Sequence, residues 1–344
     1  MSGAPPEPNA HTTVAAIGES ALIARVRERA GAPPAFVSVG IGDDAAVMEP
    51  ARGELEVITT DALVEHVHFR RDWTAARSIG AKAVAVNLSD LAAMGATPRV
   101  VLLSLILPPT LLLHDFDALV DGVVAEAAGA GAALIGGNFS RSPGPLVVDV
   151  TAMGSVGRRR VLRRTGGRAV DELYVTGTVG AGAAGLAILT AGAARAELTA
   201  DEVACVARYE HPAARVRCGR VVAASRSASA CMDLSDGLAD AARQMAAANG
   251  TGVTLEAESI PVAPGAARWL GRPGFDPIEA AVAGGDDYEL LFAVPPRRRR
   301  SFLSAMRLCR PVTVTRVGRL TKDRGLVLSR AGVPAALSSG FHHF

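Results

Sequence analysis

Acidic residues recur in this chain where an acid is unfavourable unless something compensates it. Asp43 and Asp44 stand side by side between Gly40-Ile41-Gly42 and the apolar run Ala45-Ala46-Val47-Met48. Asp61 follows the strand-like Leu55–Thr60, and Asp90 lies among Ala, Val, Leu and Met. Asp233 and Asp236 bracket Leu234-Ser235, and Asp286-Asp287 follow Gly284-Gly285. Carboxylates in apolar surroundings stay charged only beside a cation or strong donors. A cap or a turn accounts for any single one of them. The whole set points instead to divalent ions, with magnesium the natural choice, carrying a polyphosphate.

Several other chemistries fall away. The chain has two lysines, Lys82 and Lys322, and neither follows glycine in a Gly-Lys-Ser/Thr sequence, so there is no P-loop. Phosphate charge must then be met by metals, arginines and backbone N–H groups. Gly180-Ala181-Gly182-Ala183-Ala184-Gly185 matches the dinucleotide fingerprint, but the acids about 20 residues on (Asp201, Glu202) start a helix, so a close-packing or phosphate-facing turn is the better reading. His66-Val67-His68 places both imidazoles on one strand face. With no cysteine or third histidine nearby, substrate contact at His68 or plain exposure is favoured over zinc. The run Arg297–Arg300 reads as a solvated helix face, and no aromatic interleaving suggests nucleic acid.

The elements that must position these acids are those of a mixed α/β enzyme. The 344 residues are 49% hydrophobic and 4% aromatic, with a net charge of +2, which gives no global field toward nucleic acid or membrane. The four cysteines have no metal spacing and read as buried free thiols of a reducing cytoplasm. No signal peptide or membrane span is apparent. Residues 1–12 read as a disordered tail. A strand over Leu55–Thr60 leads into Asp61, Thr74 is placed to cap a long helix to Met94, and a short strand leads into Asp233. Asn87 and Asp90 share a face of the long helix. The Gly/Arg-rich stretch from Gly157 to Gly167 marks a domain boundary, giving an N-terminal domain over 13–156 and a C-terminal α/β domain over 157–344.

In order and spacing, five blocks resemble the thiamine-monophosphate kinase family, of the aminoimidazole ribonucleotide synthetase-like superfamily. They are Gly40-Ile41-Gly42-Asp43-Asp44, Thr59-Thr60-Asp61-Ala62-Leu63-Val64, the segment Ala85 to Ala96 containing Asn87-Leu88-Ser89-Asp90, Asp233-Leu234-Ser235-Asp236-Gly237, and Gly284-Gly285-Asp286-Asp287-Tyr288-Glu289-Leu290. The resemblance runs from about Glu19 to Phe344. It implies a two-domain α/β fold, a cytoplasmic homodimer formed through the N-terminal domains, and transfer of the ATP γ-phosphoryl group to thiamine monophosphate, giving thiamine diphosphate. It implies magnesium at Asp44, Thr59, Thr60, Asp61, Asp90, Asn138, Asp233 and Asp236. ATP would meet Gly137, Asn138, Arg164 and Ser235, and thiamine monophosphate would meet His68, Asp286 and Phe341. No side-chain nucleophile is implied.

The chain departs from the family pattern at three places. Gly136-Gly137-Asn138-Phe139 stands where Gly-Gly-Asp-Thr is common, so an oxygen ligand is kept and a charge lost. Asp286 replaces a glutamate, and the C-terminal Gly340-Phe341-His342-His343-Phe344 lacks the usual aspartate. Two other readings keep the fold: an ATP-dependent enzyme of the superfamily with a different acceptor, and a nucleotide-binding protein without activity.

Overall fold

The computed structural model describes residues 9–271 and 276–335. The described residues divide into two compact units, those of 9–87 with 98–155, and those of 88–97 with 156–335.

The first unit opens with α1 (Val14–Ile17) and α2 (Glu19–Ala30), then a small hairpin of β1 (Val37–Val39) and β2 (Val47–Met48). Its main sheet has four strands, β3 (Glu54–Val64), β4 (Thr97–Leu107), β5 (Ala133–Arg141) and β6 (Val147–Gly157), in the order β3-β6-β4-β5. The helices α3 (Ala76–Ala93) and α4 (Leu113–Gly129) complete it. β4 alternates buried and half-buried positions along its length, the period-2 pattern of a strand with one face in the core. The two helices meet at backbone distance: a Cβ on Gly80 would lie 2.0 Å from the Leu119 carbonyl oxygen, and one on Gly122 would lie 1.9 Å from that of Arg77. Glycine is required at both positions.

The second unit carries a seven-stranded sheet in the order β13-β12-β9-β11-β7-β10-β8. Its strands are β7 (Glu172–Thr176), β8 (Ala230–Asp233), β9 (Gly252–Glu256), β10 (Leu290–Val294), β11 (Val314–Thr321), β12 (Gly325–Arg330) and β13 (Val333–Ala335). The helices are α5 (Ala181–Thr190), α6 (Ala200–Glu210), α7 (Val216–Ser225), α8 (Leu238–Ala248), α9 (Ala266–Leu270), α10 (Pro277–Ala283) and α11 (Arg299–Met306). β7 and β10, inside the sheet, and β8, at its edge, are buried at every position, so both faces of these strands are covered. One core cluster joins α8 to this sheet, and another gathers Tyr174, Phe292 and Phe302 with Cys218, Cys231 and Cys309. Burial pushes the Cys218 thiol up to about 12, which fits an unreactive packing residue. The end of α3 belongs here by its packing, because Ala92 and Ala93 lie against Leu162, Val222 and Ala223.

Some local expectations are corrected. Asp61 lies inside β3, which runs on to Val64. Thr74 does not cap α3: the helix starts at Ala76, and the buried Thr74 hydroxyl has no hydrogen-bond partner. His66 and His68 do not share a strand face, because β3 has ended and His66 sits at φ +70° in a turn. Among the described residues no helix is long and apolar enough to cross a membrane.

Candidate active site

In the second unit, Ser89 and Asp90 come from the end of α3 and Asp233 from the end of β8. The Ser89 hydroxyl donates to Asp233 Oδ2 at 2.7 Å. Asp233 is buried at 5% exposure, and burial, then the nearby Asp90 charge, push its carboxyl up to about 7. The Arg164 charge and the Ser89 hydrogen bond oppose that rise. One turn before Asp90, the side chain of Asn87 is fully buried. Its Nδ2 donates to the Ala83 carbonyl while Oδ1 has no hydrogen-bond partner. Asp90 and Asp233, whose charges repel one another, make a pair of hard oxygen donors suited to a hard cation. Among the described residues no three His, Cys, Asp or Glu side chains are gathered tightly enough to hold a metal by themselves.

The loops after β8 and before β10 are stitched together. Asp286 donates its backbone N–H to the Ser235 carbonyl at 2.8 Å, and Tyr288 donates to that of Leu234 at 3.0 Å. Asp286 (φ +65°) and Tyr288 (φ +50°) both hold a left-handed conformation that non-glycine residues seldom adopt, so the loop is strained and must be held by its surroundings. Two buried acids hold it. The Asp287 carboxylate accepts from the Gly180 N–H at 2.6 Å and the Gly182 N–H at 3.0 Å. Burial raises the Asp287 carboxyl to about 7, against those two hydrogen bonds. Glu289, fully buried, accepts from Thr176 at 2.6 Å and from Arg208 at 2.9 Å, and forms a two-pronged pair with Arg215.

These interactions explain the glycine pattern. The N–H groups that open α5 are occupied by Asp287, and a Cβ on Gly182 would lie 2.5 Å from the Asp286 carbonyl oxygen. The stretch is a close-packed seat for the Asp286 loop and does not face an external phosphate. Sequence reasoning missed Asp287 and Glu289 as supports, and missed Arg208 and Arg215. Their only signal was acids beside Asp286 too apolar in context to be free.

Ser235 is exposed and Asp236 half-buried at the same junction. Arg164 is exposed, its Nη1 donating to Gln244 Oε1 at 2.8 Å.

In the first unit, Asp43 and Asp44 are exposed; Asp44 donates its N–H to the Asp43 side chain at 2.9 Å. The expectation of apolar confinement fails there because Val47 is itself exposed, at 53%. Asp43 and Asp44 line a cavity of about 960 Å³ with Gly137, Asn138, Asp149 and Thr151. Asn138 is exposed on β5, while the neighbouring Phe139 packs edge-on against Phe116 at 5.7 Å. Strand alternation sends Thr59 and Asp61 to one face of β3 and Thr60 to the other. The Thr60 hydroxyl donates to Asp149 Oδ1 at 3.1 Å. Thr60 would therefore reach a metal beside Asp61 through its backbone only. Asp149 was missed, although its alternation with Thr151 on β6 carried the signal. His68 Nδ1 accepts from the Val64 N–H at 3.1 Å, which leaves the proton of the neutral ring on Nε2. Phe341 lies outside the described residues.

Residues 42–156 match the family model of the AIR synthase related protein N-terminal domain, and residues 169–330 match that of the C-terminal domain. A thiamine-monophosphate kinase of Salmonella typhimurium is 36% identical over 335 residues, covering 96% of this chain and 99% of the relative. The chain belongs to the thiamine-monophosphate kinase family. Structures agree with the family's two-domain α/β fold. The thiamine-monophosphate kinase of Stenotrophomonas maltophilia K279a superposes with a TM-score of 0.79 at 38% identity, covering 90% of this chain and 95% of that one. The structure described as AaThiL complexed with AMPPCP and TMP gives 0.74 at 32% identity, over 89% and 93%. Of the acids that the sequence motifs single out, Asp90, Asp233, Asp236, Asp286 and Asp287 belong to the second unit's arrangement, and Asp43 and Asp44 to the cavity of the first.

Proposed function

We propose that this protein transfers the γ-phosphoryl group of ATP to thiamine monophosphate, giving thiamine diphosphate and ADP, in one magnesium-dependent in-line step. The bond from γ-phosphorus to the β,γ-bridging oxygen breaks as a phosphate oxygen of thiamine monophosphate bonds to that phosphorus. The observation that carries this reading is the Ser89–Asp233–Asp90 arrangement, in a chain whose 32%-identical relative is described with an ATP analogue and TMP.

Asp44, Thr59, Thr60, Asp61, Asp90, Asn138, Asp233 and Asp236 are the positions for magnesium, with Thr60 through its backbone. Bound there, magnesium supplies charge neutralisation of the phosphates. Gly137, Asn138, Arg164 and Ser235 serve the nucleotide. His68, whose Nε2–H can donate, serves thiamine monophosphate together with Asp286 and Phe341. The reaction needs positioning and charge stabilisation and no covalent intermediate. A cytoplasmic homodimer through the first unit is part of the same reading.

The test is to incubate the purified protein with ATP, Mg²⁺ and thiamine monophosphate and to follow thiamine diphosphate by chromatography. Absence of product across a wide magnesium range would refute the reading. ATP binding without turnover would identify a non-enzymatic member of the fold.

A further inference from the structure

Arginines from two arginine-rich stretches, none of them assigned to phosphoryl transfer, meet in the second unit. Arg159 and Arg160, from the turn after β6, and Arg298, from just before α11, line one cavity of about 550 Å³. Arg226, at the C-terminal end of α7, and the serines Ser225 and Ser227 complete its polar lining. No aspartate or glutamate is among the described residues around it. The cavity is also pre-shaped: Arg226 holds a left-handed backbone at φ +50°, and Arg298 Nη1 donates to its carbonyl at 2.8 Å, tying the two rims together.

The four guanidinium groups differ from the arginines of this unit that are paired with buried or half-buried acids: Arg215 with Glu289, Arg299 with Glu172, and Arg316 with Glu256. Around the cavity none of the four has a carboxylate partner among the described residues. Like charges brought together around a concavity repel one another unless an anion enters. Guanidinium forks match phosphate oxygens in a bidentate manner. The volume exceeds what one phosphate fills, and no aromatic side chain among the described lining residues offers a surface for a base.

We propose that this cavity binds a small polyphosphate anion, recognised by its phosphate chain, at a site separate from the residues assigned to phosphoryl transfer. Neither Arg164 nor Ser235 lines it.

The experiment is calorimetric titration of the full chain with inorganic triphosphate at low salt, with EDTA present. The wild-type protein is compared with Arg159→Ser/Arg298→Ser. One equivalent should bind to the wild type, and the double variant should bind about 100-fold more weakly, roughly tenfold for each guanidinium–phosphate hydrogen bond removed. Raised salt should weaken the wild-type interaction. Thiamine monophosphate phosphorylation without added triphosphate should be equal in the two proteins, which separates this test from that of the activity. A parallel titration with ATP distinguishes sources: equal variant-dependent affinity means that the chain alone is read, and tighter ATP binding means a nucleotide. No binding, or binding unchanged in the double variant, overturns the proposal. Should the double variant unfold, Arg159→Gln, which breaks no hydrogen bond to Arg226, is used with the same criteria.

Discussion

The Ser89 hydroxyl and the Asp233 carboxylate, 2.7 Å apart and both buried, form the one polar interaction on which the candidate site depends most. A charged Asp233 has three stabilising influences, this hydrogen bond, the Arg164 charge and a backbone hydrogen bond. Burial and Asp90 act against it. Ser89→Ala removes the first of the three, so protonated Asp233 gains ground. The acid limb of the kcat/KM profile should move up by about one pH unit, as expected for loss of a hydrogen bond to a charged group. A profile that keeps its midpoint while kcat falls would mean that Ser89 only packs.

Asp90→Asn keeps size and shape and deletes a full charge beside Asp233. Turnover should fall by at least about 100-fold, comparable to removing one preorganised electrostatic interaction with a transition state. The unfolding temperature without metal should hold or rise, since a like-charge repulsion is gone. Steady-state kinetics at saturating magnesium, paired with thermal unfolding in EDTA, read both outcomes. Near-normal turnover would remove Asp90 from the metal positions.

The pH dependence of stability without metal follows from Asp233 and Asp287, both held near 7 against an ordinary 3.8. Between those values the folded state keeps protons that the unfolded chain has released. Their contribution is therefore intact below about pH 4, declines as pH rises, and is fully lost above about 7. The effect is on the order of 4 kcal/mol for each carboxyl over the whole range. Urea unfolding in EDTA should show lower stability at pH 8 than at pH 5, and magnesium should recover part of the loss at pH 8 through Asp233. A flat profile would mean that neither carboxyl is shifted.

The order of the acidic motifs and most of the helices were legible because apolar periodicity and glycine punctuation act locally. The environments of the acids were not. Asp43 and Asp44 sit in an apolar sequence context but on an exposed loop, since neighbours in sequence do not determine neighbours in space. Asp287 reads like its neighbour Asp286, yet its carboxylate is turned inward to the N–H groups of α5, more than a hundred positions away in the chain. Thr59 and Thr60 form one motif but point to opposite faces, which is evident only once β3 is known to run through Asp61.

Glu289 supports the strained Asp286 loop from beneath, and its replacement separates stability from chemistry. In Glu289→Gln, Arg208 and Arg215 lose the carboxylate that compensates them both, while the Thr176 hydrogen bond can persist. Breaking a buried pair from one side costs about 3–5 kcal/mol, because an uncompensated charge stays inside. The midpoint of urea unfolding should fall accordingly. The released strain at Asp286 and Tyr288 should raise KM for thiamine monophosphate more than it lowers kcat, since Asp286 is assigned to the acceptor. Equal KM values with lowered stability would show that the Asp286 loop keeps its shape without Glu289, and would shift its support to Asp287 and the α5 amides.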